Sequence, residues 1–150
     1  MKIVLDTNVF YSGIFFSGPP FQILQAWRDR KIQLLISPEI FDEYLRAGNK
    51  LAEQFPNIDI EPFINLVESN AEFVHSANLP NPICSDPDDD KFIACALAGN
   101  AKIIVSGDKH LLKVSGYRQI EVISPRSFVD QYLKDENKIN RSQSETGNDM

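Results

Sequence analysis

The stretches KIVLD at residues 2–6 and KIIVSGD at residues 102–108 decide the fold. Each is a short apolar run that ends near an aspartate, and neither alternates between apolar and polar side chains. Continuously apolar strands are typical of parallel sheets, because helical crossovers cover both faces of such sheets. The two stretches therefore predict an α/β fold, a three-layer α/β/α sandwich with a mostly parallel central sheet.

Helix and strand signals alternate on either side of these stretches. Further strands are predicted at residues 32–36, 72–75 and 120–123. Helices are predicted at residues 21–30, from 38 onward, 62–69, 87–99 and 125–133, where Ser-Pro or Asp-Pro pairs mark three of the starts. We expect a loop between the first strand and residue 21, because glycines and prolines recur there. Residues 48–56 are expected to break the helix that begins at residue 38, or to form a short one.

Length and composition favour one domain in a chain of 150 residues. We predict that the domain spans residues 1–134 and that residues 135–150, which contain almost no apolar side chains, form a disordered tail. No apolar run approaches the roughly 20 residues that cross a membrane, and Asp6 interrupts the first run too early for a signal peptide. The expected location is cytoplasmic. The net charge of −6 is the wrong sign for holding nucleic acid by bulk electrostatics.

Four carboxylates fall where an open α/β sheet gathers ligands, at the carboxyl ends of its strands. Asp6 ends the first strand, Asp108 follows the IIVS strand, and Asp90 lies in the first turns of the preceding helix. Glu43 lies further along its own helix and fits this edge less tightly. Taken singly, Asp6 and Asp108 also fit turn-forming roles, and Glu43 also fits a solvated helical position.

Asp90 is the most informative of these acids because it shares a helical stripe with apolar residues three, four and seven positions later. A carboxylate on an inward face is costly unless a cation or strong hydrogen-bond donors meet it. The preceding acids fit an ordinary helix start, with Asp86 as the N-cap and Asp88 and Asp89 in the first turn.

Carboxylates that converge in one cleft repel one another and have raised pKa values. A divalent cation relieves the repulsion, and oxygen ligands favour Mg²⁺ or Mn²⁺ over Zn²⁺. Such a metal lowers the pKa of bound water and neutralises charge on a phosphodiester. Cys84 and Cys95 lack zinc-site spacing, and the sequence contains no P-loop or nucleophile elbow.

Four motifs in this order resemble the PIN-domain family: LDTNVF, the glutamate of SPEIFDEYLRA, DPDDDKFIACALAG and IIVSGDKHLL. They are similar in particular to the toxins of bacterial toxin–antitoxin pairs, the VapC-like ribonucleases. The resemblance spans residues 2–133. It implies a PIN-like fold and a metal-dependent endoribonuclease that uses Mg²⁺ or Mn²⁺. It also implies an RNA substrate, an antitoxin protein as partner, and a homodimer.

The resemblance assigns residues one by one. Asp6, Glu43, Asp90 and Asp108 become the catalytic and metal-binding acids, with Asn8 and Ser106 as accessory polar positions. Candidate contacts to an RNA backbone are Arg28, Arg30, Lys31, Lys91, Lys109 and Lys113.

The segment at residues 10–20 is longer and more apolar than in compact members of the family. Its aromatic-rich stretch fits either the core or a docking surface for an antitoxin, and comprises Phe10, Tyr11, Ile14, Phe15, Phe16 and Phe21.

Two other functions fit parts of the pattern. Phosphatases of the haloacid-dehalogenase type also place an aspartate after the first strand, but they need a second aspartate two residues later, where this chain has Asn8. A non-catalytic PIN-like module that binds RNA or protein would keep the fold. Degenerate modules usually lack one or more of the acids, and this chain has all four.

Overall fold

A five-stranded parallel sheet forms the centre of the computed structural model, which describes residues 1–134. The predicted tail, residues 135–150, lies outside the described residues. The strands are β1 (Lys2–Leu5), β2 (Gln33–Ile36), β3 (Glu72–Phe73), β4 (Ile103–Val105) and β5 (Glu121–Ile123). Their order is β3-β2-β1-β4-β5, and each of the four neighbouring pairs is parallel. The predicted α/β fold with a parallel sheet is confirmed.

Helices connect the strands. The described residues contain α1 (Thr7–Phe15), α2 (Pro19–Arg28), α3 (Pro38–Gln54), α4 (Glu61–Asn70), α5 (Asp90–Gly99), α6 (Lys109–Leu112) and α7 (Pro125–Phe128). A 3₁₀ turn at Pro87–Asp89 leads into α5, a second one at Tyr117–Gln119 precedes β5, and a π-helical turn at Val129–Leu133 extends α7. No helix in residues 1–134 combines the length and the apolar character that a membrane span requires.

The strand order places the helices in two layers. From β1 the chain moves one way through β2 to β3, and from β3 it crosses back to β4 and β5 on the other side of β1. Because parallel crossovers are right-handed, α1 to α4 lie on one face of the sheet and α5 and α6 on the other. Strands β1 and β4 are buried along nearly their whole length, so their apolar side chains form the core between the layers.

Two expectations about glycine-containing segments are wrong. Residues 7–15 form helix α1 rather than a loop, and Gly13 serves close helix packing: a Cβ there would lie 2.6 Å from the Leu24 side chain of α2. Helix α3 likewise continues through Gly48 to Gln54. A Cβ at Gly48 would overlap the Tyr11 hydroxyl. In both cases the missing side chain admits a neighbour and does not break the helix.

The aromatic-rich stretch divides between core and surface. Phe10 and Tyr11 are buried, and the Phe10 ring stacks on Tyr44 with ring centres 4.5 Å apart. Phe16 and Phe21 are 70% and 40% exposed at the connection between α1 and α2. The core interpretation therefore holds for Phe10 and Tyr11, Ile14 and Phe15 pack half-buried against the core, and Phe16 and Phe21 are exposed.

Candidate active site

The switch point of the sheet lies between β1 and β4, where the chain turns in opposite directions from two neighbouring strands. Asp6 directly follows β1, and its backbone N–H donates to the carbonyl of Val105 at the end of β4 (3.0 Å). Ser106 directly follows β4, and its N–H donates to the carbonyl of Ile123 at the end of β5 (3.0 Å). Ladder hydrogen bonds thus fix the first residues beyond β1 and β4 at one edge, where open α/β sheets bind ligands.

Ser106 connects two of the predicted acids. Its hydroxyl is fully buried, donates to Asp6 Oδ2 (2.6 Å) and accepts from the backbone N–H of Asp108 (3.0 Å). Burial raises the pKa of the Asp6 carboxyl, and the hydrogen bond from Ser106 opposes part of that rise. The negative charges of Glu43 and Asp108 raise the pKa of Asp6 further. Asp6, Ser106, Glu43 and Asp108 therefore belong to one electrostatic site.

Asn8 and Asp108 contribute mainly through helix starts. Asn8 is exposed, and its backbone N–H, rather than its side chain, is the group that lowers the pKa of Asp6. Asp108 is the N-cap of α6, and its Oδ1 accepts from the N–H of His110 (2.9 Å). This cap uses one carboxylate oxygen of Asp108 and holds the half-buried side chain at the edge of the sheet.

The adjacent acids Asp89 and Asp90 point to different surroundings. Both oxygens of Asp90 accept backbone hydrogen bonds from the preceding loop, Oδ1 from Cys84 N (2.8 Å) and Oδ2 from Ile83 N (3.1 Å). The carboxyl of Asp89 instead lies beside Asp108, with which it can share a hydrogen bond once it is protonated, and its buried Oδ2 has no donor among residues 1–134. Burial and the Asp108 carboxylate raise the pKa of Asp89 to about 7.

The segment before α5 therefore brings Asp89 up to Asp108, and Asp90 binds back to the preceding loop. From its apolar stripe, we expect the carboxylate of Asp90 to be met either by a cation or by strong hydrogen-bond donors. The backbone N–H groups of Ile83 and Cys84 are such donors. Sequence reasoning treated Asp89 as a solvated acid of the first turn. The 3₁₀ geometry of residues 87–89 changes the direction of that side chain, and a pattern based on α-helical spacing does not contain this change.

Glu43 reaches the site from α3 and is held there by two groups. Its Oε1 accepts from the Thr7 hydroxyl (2.5 Å), and its Oε2 forms an ion pair with Lys91 Nζ. Burial lowers the pKa of Lys91, but the contacts with Glu43 and Asp88 outweigh it, so the pKa is raised and the ammonium is charged. Neither Thr7 nor the ion pair was anticipated from the sequence, since both depend on contacts between distant segments.

The donor set suits a hard divalent cation that keeps part of its water shell. No group of three or more His, Cys, Asp or Glu side chains within residues 1–134 is arranged to enclose a metal ion by itself. The buried Asp89 Oδ2, which lacks a donor, is nevertheless the kind of oxygen that a cation completes. Mg²⁺ is commonly bound through only one or two carboxylates, with water and substrate phosphate as the other ligands. The residues present fit that mode.

The basic residues divide between two ends of the sheet. Arg28, Arg30 and Lys31 line a cavity of about 450 Å³ beside Met1 and the start of β2, at the amino ends of the strands. They therefore lie at the edge opposite the acids. Lys109 and Lys113 flank α6 at the acidic edge and are exposed.

An open cleft of about 370 Å³ lies next to the acids. It is bounded by Asp90, Lys91, Glu39 and the loop at residues 76–82. This loop carries Asn78 and Asn81, so the wall opposite α5 is polar as well as apolar.

Comparison with known proteins agrees with this geometry. Residues 2–110 match the sequence model of a family described as PIN domain, so the match includes all the acids discussed above. An uncharacterized protein of Methanocaldococcus jannaschii is 30% identical over 145 residues, a region that covers 89% of this chain and 93% of the relative. Proteins with PIN domains are generally nucleases. The fold, the acidic edge and the extent of the match together show that the chain belongs to the PIN-domain family.

Proposed function

We propose that the chain is an endoribonuclease that hydrolyses RNA phosphodiester bonds with the aid of Mg²⁺ or Mn²⁺. The observation that carries the proposal is the buried, partnerless Asp89 Oδ2 beside Asp108, at the switch point that also holds Asp6. Uncompensated carboxylates inside a fold cost stability, and a site that keeps them serves a ligand that compensates them. A phosphodiester substrate needs the same positive charge in its transition state.

The residues have separate roles in this proposal. One or two of the carboxylates of Asp6, Asp89 and Asp108 hold the cation. The Ser106 hydroxyl orients the Asp6 carboxylate and fixes the backbone of Asp108, from whose N–H it accepts. When bound, the metal supplies an activated water and neutralises charge on the phosphate. Glu43 completes the acidic set from α3.

Asp90 belongs to the acids that the family resemblance assigns to the site. Its hydrogen bonds to Ile83 and Cys84 favour a positioning role, in which it holds the start of α5 and thereby the direction of Asp89.

A role as the toxin of a toxin–antitoxin pair is the finer part of the proposal, and it is supported by the four motifs alone. As a toxin the chain would bind an antitoxin protein and form a homodimer. The exposed Phe16 and Phe21 give these partners an apolar surface. Helix α1 begins at the acidic site and is nine residues long, so Phe16 lies roughly 13 Å along the helix from the acids.

The test uses the full chain with end-labelled RNA, a DNA of the same sequence, and p-nitrophenyl phosphate, each with Mn²⁺, Mg²⁺ or a chelator. We expect cleavage of the RNA that requires the metal, and no hydrolysis of the phosphatase substrate. Asp108→Asn should abolish the cleavage, whereas His110→Ala, which keeps the backbone donor to Asp108, should not.

The alternatives give other results in the same assay. RNA binding without cleavage under every metal condition would favour the non-catalytic module. Hydrolysis of p-nitrophenyl phosphate without RNA cleavage would favour the phosphatase. RNA cleavage that persists in the chelator and in Asp108→Asn would contradict the metal-dependent mechanism.

A further inference from the structure

Lys91 is a charged side chain inside the acidic site. Its side chain is only 11% exposed, and its ammonium contacts Glu43 Oε2 and lies 3.2 Å from Asp88 Oδ1. Lysine is rarely this buried unless it is paired. The pairing is long-range, since Lys91 comes from α5 and Glu43 from α3, on opposite faces of the sheet. The contact therefore joins the two helical layers across the acidic edge.

The same contact leaves Glu43 without a free oxygen. Thr7 donates to Oε1 and Lys91 binds Oε2, so both acceptors are engaged by groups of the chain itself. Each oxygen keeps a further lone pair, but a cation at Oε2 would share that oxygen with the Lys91 ammonium, and the two positive charges repel each other. The opposite side of the site differs, because Asp89 Oδ2 has no donor among the described residues.

We propose that Lys91 is an exchangeable internal cation of the site. In the metal-free protein its ammonium neutralises Glu43, and a divalent cation that takes Glu43 as a ligand displaces it. The inference rests on the proposed metal-dependent function and adds a residue that controls how readily the site accepts its metal. Lys91 acts through Glu43, so it is a positioning residue and not a catalytic one.

Asp88 offers the Lys91 ammonium a second carboxylate partner when the ammonium leaves Glu43. Its side chain is 71% exposed, against 23% for Glu43, and the two carboxylates flank the Lys91 ammonium on its outer and inner sides. An ammonium that leaves Glu43 thus retains a partner towards solvent. Because Asp88 lies three residues before Lys91 on adjoining helical turns, the movement needs only side-chain rotation.

The first test measures Mn²⁺ affinity by calorimetry on the full chain without RNA. Lys91→Met removes the competitor, and we expect Mn²⁺ to bind about tenfold more tightly, equivalent to about 1.4 kcal/mol. Lys109→Met is the matched control, since it removes the same charge from an exposed lysine next to Asp108. Lys91→Arg keeps the charge and should bind Mn²⁺ no more tightly than the wild type.

A double-mutant cycle separates exchange at Glu43 from a general effect of charge. In a Glu43→Gln background, Lys91→Met should change the Mn²⁺ affinity no more than Lys109→Met does. A gain in affinity that is equal for Lys91→Met and Lys109→Met would overturn the proposal. So would a gain that persists undiminished in the Glu43→Gln background.

The second test uses the wild-type chain and therefore does not depend on the variants folding. Crystal structures without metal and with Mn²⁺ should show the Lys91–Glu43 contact present in the first and broken in the second. A contact that persists beside bound Mn²⁺ would overturn the proposal. Exchange without any RNA cleavage would leave this inference standing and reject the proposed ribonuclease activity.

Discussion

The two sides of the acidic site differ in how far the fold satisfies them. On the β4 side, Asp89 and Asp108 face each other, and Asp89 Oδ2 has no donor among residues 1–134. On the α3 side, Thr7 and Lys91 occupy both oxygens of Glu43. The carboxylate oxygen without a donor thus lies on one side, while the other side carries its own counter-ion. We therefore expect a bound cation to raise stability through the Asp89–Asp108 side, and the Lys91–Glu43 ion pair to oppose its binding.

The largest expected effect comes from replacing the neighbouring acids one at a time. Asp89→Asn should lower metal-dependent RNA cleavage by more than about 100-fold, because changes outside the ligand set already cost 10–100-fold. The unfolding free energy without metal should stay the same or rise, since a repelled carboxylate is removed. Chemical denaturation and the RNA assay measure the two quantities on the same samples.

Asp90→Asn is the matched control for that change. Asparagine is neutral and provides one acceptor oxygen where Asp90 has two, so one of the backbone donors at Ile83 and Cys84 loses its acceptor and the other loses a charged partner. We expect a loss of about 1–3 kcal/mol in stability and a smaller loss of cleavage than in Asp89→Asn. The reverse order, with Asp90→Asn stable but inactive and Asp89→Asn active, would make Asp90 the ligand.

Metal binding should stabilise the wild-type chain more than the variants of the Asp89–Asp108 side. At 100 times the dissociation constant, Mn²⁺ adds about 2.7 kcal/mol to the unfolding free energy. Thermal melts at increasing Mn²⁺ measure this gain, and Asp89→Asn should reduce it. Melting temperatures that do not respond to millimolar Mn²⁺ in the wild type would remove the reason for treating the partnerless oxygen as a metal ligand.

Ser106→Ala tests whether the hydrogen bonds of the Ser106 hydroxyl position Asp6 and Asp108 for metal binding. The variant leaves Asp6 Oδ2 and the N–H of Asp108 without their shared partner, which should cost about 1–3 kcal/mol. Mn²⁺ affinity should fall by roughly tenfold as well. Ser115→Ala removes one comparable bond, to the N–H of Val122 at β5, and should lower stability without changing Mn²⁺ affinity.

The sequence predicts most of the fold because strand burial and helix caps are local features. The continuous apolar runs identify β1 and β4, and Ser37 and Ser124 cap α3 and α7 as the Ser-Pro signals indicate. The errors at residues 7–20 and 48–56 come from long-range packing. A glycine that lets another helix approach and a glycine that ends a helix look the same in the sequence.

The candidate site could be predicted only in part for the same reason. Asp6, Ser106 and Asp108 follow directly from strand ends, so their placement at one edge is expected from topology. The direction of the Asp89 side chain depends on one 3₁₀ turn, and the ion pair of Glu43 depends on a lysine that comes from the opposite helical layer. Neither is encoded in a local pattern.

The Asp89–Asp108 side should also make stability depend on pH. The pKa of Asp89 is about 7 in the folded chain and 3.8 in an ordinary environment, so the folded state binds the proton more tightly than the unfolded state. This group's contribution to stability is fully present below about pH 4 and is lost as the pH rises through 7. Without metal, the unfolding free energy of the wild type minus that of Asp89→Asn should therefore fall as the pH rises from about 4 through 7. Since metal ligands must be deprotonated, Mn²⁺ should stabilise the wild type more at pH 8 than at pH 5. A difference between the two proteins that stays constant from pH 4 to pH 8 would mean that Asp89 titrates normally and that the two sides of the site are electrostatically alike.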